Sequence, residues 1–305
     1  MNKTTDKTTH KKLSNWKFVL MMMLTVVVWA FAFPFIKIGL KELSFVNLTI
    51  MRFFVVCIVL IAILLAQRRR FSKLYKKDII PIFMLGFFGV MVYHFGLNYG
   101  EQYISPGAAS LIIATIPVLI VVLAFFFLNE KMTQKKILGV VIALCGILII
   151  SILGTSNTSI EINYIYGALA VLLAAVMGAF YTIAGKKLLS RYNALSLTVY
   201  AILLGSLALI PFFNISLLDQ ASSMSVSCWI AVIFLGVCST VIGYILWYVA
   251  LEIKSASEVS VYLYAIPVFS TIISYFLFKD EITFLFIVGS ILVISGLILV
   301  NVEEK

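Results

Sequence analysis

A few polar side chains interrupt a chain of 305 residues that is 63% hydrophobic, and any chemistry has to start from them. Arg52 lies inside the apolar run 44–66, where an arginine either tethers helix ends or draws an anion. His94, Asn98 and Glu101 follow at i, i+4 and i+7, so a helix would carry all three on one face. A histidine on that face can pack, hydrogen-bond a solute or relay a proton near neutral pH. Tyr244 pairs with Tyr248 at i, i+4 beside Trp247, and Tyr262 and Tyr264 lie in a later apolar run, Tyr264 well inside it where a hydroxyl needs a partner. Together with Trp29 in the first apolar run, they would line a path suited to an amphipathic organic solute.

Motifs for other chemistry are missing. There is no GxxxxGK[ST] phosphate cradle, no HExxH, no GxGD pair and no GxSx nucleophile turn within an apolar run, which leaves nucleotide hydrolysis and intramembrane hydrolysis unsupported. Cys57, Cys145, Cys228 and Cys238 are scattered, without CxxC or histidine partners at metal spacing, so neither a disulfide framework nor a metal site is expected. No cofactor is implied. The net charge of +10 does not indicate nucleic acid, because Lys and Arg fall in short segments between apolar runs, where they set membrane orientation.

Only membrane helices can position such residues. Charged residues make up 12% of the chain, against about 25% in soluble domains. Apolar windows of spanning length fall near 18–40, 44–66, 79–100, 106–128 and 136–154, then 164–186, 194–213, 228–250, 257–278 and 283–302. Helices alone satisfy their backbone groups in lipid, so the fold expected is an all-α integral membrane protein with ten transmembrane helices. Nineteen Lys and Arg fall on the side of the termini, against Lys41 and Lys279 on the other, with Lys37 and Arg52 inside spans. That asymmetry predicts a multi-pass cell-membrane protein with both termini cytoplasmic.

One stretch is written twice. SPGAASLIIATIPVLIVVLAFFFLNEKMT, Ser105 to Thr133, returns 150 positions later as SASEVSVYLYAIPVFSTIISYFLFKDEIT, Ser255 to Thr283. Pro117 matches Pro267, Glu130 matches Asp280, and the register extends ungapped from Ile82–Ile150 to Val232–Val300, with Gly86, Gly139 and Gly146 on Gly236, Gly289 and Gly296. Earlier, SFVNLT from Ser44 resembles NALSLT from Asn193 at an offset of 149. Five spans per half place the second half upside down, giving an inverted repeat. The division expected is a basic tail at 1–17, a first five-helix repeat at 18–154 and a second at 164–302.

This arrangement resembles the EamA-type members of the drug/metabolite transporter superfamily. The resemblance rests on WAFAFPFIKIGL (Trp29 to Leu40), the arginine of TIMRF (Arg52) and the paired segments quoted above. It implies a solute carrier with a central cavity lined mainly by the first, third and fourth helices of each half, alternating between inward- and outward-open states. The related small multidrug exporters rest on a glutamate in the first helix, and this chain has none there. Its deep charge is positive, which tilts the reading toward an amino acid or similar zwitterionic or anionic solute. A multidrug cation exporter and a non-transporting receptor or assembly subunit stand as the alternatives. The partners expected are a small-molecule substrate and the bilayer, with monomer and homodimer both open.

Finer roles follow from depth. Lys37, three residues from its helix end, can snorkel to the interface. Arg52 is about 12 Å deep and needs compensation, for which Glu101 or a neutral His94 is the expected partner. Pro117 and Pro267 each remove a helical hydrogen bond and are expected to act as hinges. Because Ala108, Ile112 and Ala114 become Glu258, Tyr262 and Tyr264, the second half is expected to supply more of the specificity.

Overall fold

The computed structural model describes residues 14–130, 133–153, 162–278 and 284–301, and every regular element among them is helical. Most of the basic tail, and Lys131, Lys279, Asp280, Thr283 and Lys305, lie outside the described residues. Ten long helices follow in order: α1 Asn15–Gly39, α2 Phe45–Ala66, α3 Lys76–Tyr103, α4 Pro106–Leu128, α5 Gln134–Leu153, α6 Ile162–Leu188, α7 Ala194–Phe212, α8 Val226–Ile253, α9 Ala256–Leu277 and α10 Phe284–Asn301. All but α5 and α10 are long and apolar enough to cross a membrane by the strictest reading of the described residues. A short helix, Ser216–Ser223, fills the longest connection.

Local chemistry sets where these helices begin. Ser44, Ser105, Asn193, Ser225 and Ser255 each sit in extended backbone and accept an N–H three residues on, closing the first turn of α2, α4, α7, α8 and α9. Glu130 adds a cap between halves. Its carboxylate accepts from Ala256 N at 2.7 Å, Ser257 N at 3.1 Å and Ser257 Oγ at 2.6 Å, neutralising the positive end of α9.

Helix interiors break where the sequence repeats. In α4 the regular spiral stops at Ile113 and restarts at Ile116, just before Pro117, with Ala114 N and Thr115 N bonding three residues back. In α9 a tight 3₁₀ segment, Val261–Tyr264, precedes Pro267 in the same way. Wide π turns replace α-helix at Phe87–Val92 in α3 and at Phe234–Ile242 in α8.

Two lysines clamp equivalent helix ends. Lys37 of α1 donates to the carbonyls of Glu101, at 2.7 Å, and Ile104, at 3.3 Å, at the C-terminus of α3. Lys186 of α6, 149 positions later, donates to Leu251 O and, at 2.9 Å, to Lys254 O at the C-terminus of α8. Carbonyls that have run out of helical partners are satisfied by an ammonium at the negative end of the dipole. Lys37 therefore reaches across to a neighbouring helix instead of simply rising to the interface.

Packing separates the core from a peripheral pair. The helices α1–α4 interleave with α6–α9, and α3 and α7 meet backbone to backbone at Gly86 and Gly205. Helices α5 and α10 pack chiefly on each other, with Gly139, Gly146, Gly289 and Gly296 all buried. Large side chains such as Phe54, Ile58, Phe126 and Ile230 point outward, as a surface solvated by lipid chains requires.

Candidate functional site

Arg52 is 2% exposed and belongs to the middle of α2. Its Nε donates to Thr240 Oγ1 at 2.8 Å and its Nη2 to Ser239 Oγ at 3.2 Å, both on the π segment of α8. The wide turn matters here: at more than four residues per turn it brings Ser239 and Thr240 together toward α2, and Thr240 Oγ1 also donates to Leu235 O, five residues back, at 2.8 Å. Glu101 and His94, the compensating partners expected from the sequence, make no hydrogen bond or ion pair with the guanidinium. Two neutral hydroxyls hold it, and Nη1 makes no hydrogen bond among the described residues.

Ser239 is the node of the site. Its carbonyl accepts the Trp29 indole N–H at 2.9 Å while its hydroxyl receives Arg52, so one residue of the second half fixes two of the first. Trp29 continues into an aromatic wall, 5.3 Å from Trp247 and edge-on to Tyr244 at 6.0 Å. Tyr244 meets Tyr181 at 5.4 Å, and Tyr181 stacks on Tyr248 at 5.1 Å and 12°. The Trp247 indole N–H donates to Thr182 Oγ1 at 3.2 Å.

His94 closes the other side. Its Nδ1 donates to Val90 O at 2.8 Å, which fixes the ring and leaves Nε2 for another partner. The ring sits among Phe53 at 4.8 Å, Tyr93 at 4.9 Å and Tyr244 at 6.2 Å.

These groups enclose a cavity of about 80 Å³, room for several water molecules, between α1, α2, α3, α4, α6, α8 and α9. Its lining obeys the repeat. Trp29, Ala32 and Phe33 are matched by Gly178, Tyr181 and Thr182, and Gly89, His94, Leu97, Ile113 and Ile116 by Ser239, Tyr244, Trp247, Leu263 and Ile266. Arg52 and Tyr93 line it without a partner, their equivalents being Ala201 and Gly243. Glycines make room for the large rings: a Cβ at Gly243 would meet the Trp29 indole, one at Gly89 the Tyr181 ring, and one at Gly178 would lie 3.2 Å from Tyr93.

Of the residues singled out from the sequence, Trp29, Arg52, His94, Tyr244 and Trp247 come together on this cavity. Asn98, Tyr248, Tyr262 and Tyr264 do not line it. Asn98 donates to Thr49 Oγ1 at 2.9 Å, Tyr248 donates to Tyr181 O at 3.3 Å, and Tyr262 packs edge-on to Phe18 at 6.0 Å. Tyr264 is fully buried with a hydroxyl that finds no hydrogen-bond partner among the described residues. Pro117 and Pro267 stand one position beyond the lining residues Ile116 and Ile266. Tyr93, Tyr181, Thr182 and Ser239 line the cavity without having been singled out. The 149- and 150-residue offsets were the available signal, since they relate Tyr181 to Ala32 and Ser239 to Gly89. The halves contribute aromatics equally to the lining, Trp29, Phe33 and Tyr93 against Tyr181, Tyr244 and Trp247, while the ionisable Arg52 and His94 both come from the first. Among the described residues, no three His, Cys, Asp or Glu side chains converge to hold a metal ion.

Residues 16–152 and 165–302 each match the EamA-like transporter family. An uncharacterized transporter of Archaeoglobus fulgidus is 37% identical over 281 residues, covering 92% of this chain and 97% of the relative. A probable terminal-alkyne amino-acid exporter of Streptantibioticus cattleyicolor is 32% identical over 287 residues, covering 93% of each. A solved crystal structure superimposes with a TM-score of 0.71 over 94% of this chain and 97% of that one, at 18% identity, and shares the fold.

Proposed function

The chain belongs to the EamA-like transporter family, and we propose that this multi-pass membrane transporter moves a small solute bearing a carboxylate, an amino acid or close analogue, through the central cavity by alternating access. One observation carries the reading: a buried guanidinium lines the cavity, held by two neutral hydroxyls and making no ion pair among the described residues. Nη1 and the second N–H of Nη2 form an end-on fork, the geometry that binds a carboxylate through two parallel hydrogen bonds. Trp29, Trp247, Tyr244 and Tyr181 offer ring faces and edges to the rest of the solute, and such faces also attract an ammonium. No Asp or Glu is among the lining residues, which speaks against a dedicated organic-cation site. The probable amino-acid exporter among the relatives is consistent with this choice.

The cavity lies between two repeats, 18–154 and 164–302, of opposite orientation, and the excess of Lys and Arg puts both termini in the cytoplasm of a cell-membrane protein. Pro117 and Pro267, one residue beyond the lining, are where α4 and α9 bend as the two ends open in turn. Counterflow of radiolabelled neutral amino acids in liposomes tests the proposal. Saturable exchange that is lost in Arg52→Ala supports it. Transport of organic cations with no amino-acid exchange overturns it.

A further inference from the structure

Glu101 is the most anomalous side chain in the described molecule. It stands two residues from the end of α3, is fully buried, and neither carboxylate oxygen has a hydrogen-bond partner among the described residues. Lys37 lies beside it yet donates to the backbone carbonyls of Glu101 and Ile104, forming no ion pair with the carboxylate. An ionised carboxylate buried without donors is among the costliest groups a protein can hold, whereas a protonated one is far cheaper.

The second half shows that the fold does not require an acid at this place. The position equivalent to Glu101 is Leu251, also fully buried, and Lys186 there makes the same clamp on the carbonyls of Leu251 and Lys254. One architecture thus works with leucine in one copy and keeps glutamate in the other. The charges acting on Glu101 are Lys37 from α1 and Arg52 from α2; its own helix adds Tyr93. At Gly100, α6 presents Gly167 and Val171, and neither α4 nor α6 contributes a charged group that acts on the carboxylate.

We propose that Glu101 is a proton-binding site tied to the transport cycle: closing this end of the bundle takes up one proton on its carboxylate, and opening returns that proton to the entering water. The coupling rests on the alternating-access reading above. It also sets a direction, because acid medium on this face favours the closed form and alkaline medium the open one.

Infrared difference spectra of the purified protein in liposomes, between acid and alkaline medium, test the site without any solute. The carbonyl band of one protonated carboxyl should titrate in the wild type and be absent from Glu101→Gln and Glu101→Leu. Leu251 shows that the leucine variant fits the fold, and its thermal unfolding should match the wild type. A band that persists unchanged in both variants overturns the proposal. Counterflow of labelled neutral amino acids should rise with pH in the wild type and lose that dependence in Glu101→Gln; an identical profile in both overturns the coupling. If no amino acid exchanges at all, the substrate reading fails while the infrared result still decides the proton site.

Discussion

At one repeated contact, the two halves put the large residue on opposite partners. Trp29 of α1 lies over Gly243 of α8, whereas at the equivalent place Gly178 of α6 lies under Tyr93 of α3. The close approach of two helices is kept, the filling volume is roughly kept, and only the donor of the ring changes. Interiors tolerate such exchanges because they constrain total volume more tightly than its source. The structural devices are held in both copies: the lysine clamps, the π turns and the breaks before Pro117 and Pro267. The groups with distinctive chemistry occur once, since Arg52, His94 and Glu101 correspond to Ala201, Tyr244 and Leu251. Duplication supplied the frame, and divergence of one copy supplied the charges.

That contrast breaks most severely at Arg52. Arg52→Ala removes the one charge of the lining and should lower apparent affinity for a carboxylate solute about ten- to a hundredfold in counterflow, the worth of about 1.5–3 kcal/mol in charged hydrogen bonds. Ala201→Arg on the same background should not restore it, because Gly89 stands where a Ser239 hydroxyl would be needed. Next come the paired glycines. A Cβ at Gly86 would lie 2.8 Å from Gly205 Cα and closer still to Ala201 O, backbone that cannot yield, so Gly86→Ala should lower stability by about 1–3 kcal/mol in denaturant unfolding. At Gly236 the nearest atoms are the Val55 side chain and Arg52 O, at 3.1–3.2 Å, and Gly236→Ala should fall clearly below that loss.

The clamps should behave alike. Lys37→Met and Lys186→Met each free two helix-end carbonyls and should each cost about 1–2 kcal/mol in the same assay; strongly unequal losses would deny the equivalence. Tyr264→Phe deletes a hydroxyl without a partner among the described residues, and should leave affinity unchanged and stability unchanged or raised by up to about 1 kcal/mol.

The smallest effect lies in the α1–α2 turn. The hydroxyl of Ser225, and then its amide, bond the Glu42 carboxylate and hold its pKa below the usual carboxylate value. A depressed folded pKa stabilises above the unfolded value and is lost as pH falls through the folded one. Glu42→Gln should therefore flatten a slight acid-side decline in melting temperature and change little at neutral pH.

Much of this was legible in the chain. Apolar length announced the helices, and coincident Pro and Gly announced the duplication. What could not be read were departures from 3.6 residues per turn. Tyr264, placed on the path because it lies deep in its span, falls in the 3₁₀ segment Val261–Tyr264 and is not among the residues that line the cavity. The π turn of α8 carries Ser239 and Thr240, two residues of unremarked type, to Arg52. Lys37 was misjudged for another reason: snorkelling describes a lone helix in lipid, and here an adjacent helix end supplies the carbonyls.

The pairing of α5 with α10 bears on how the molecule is made. The partner of α5 leaves the ribosome 150 residues later in the repeat. At about 5–20 residues per second, α5 waits roughly 8–30 s in the membrane before that seam can close. During that interval its glycine face is without its partner, so assembly of the first half cannot finish until α10 of the second has been made.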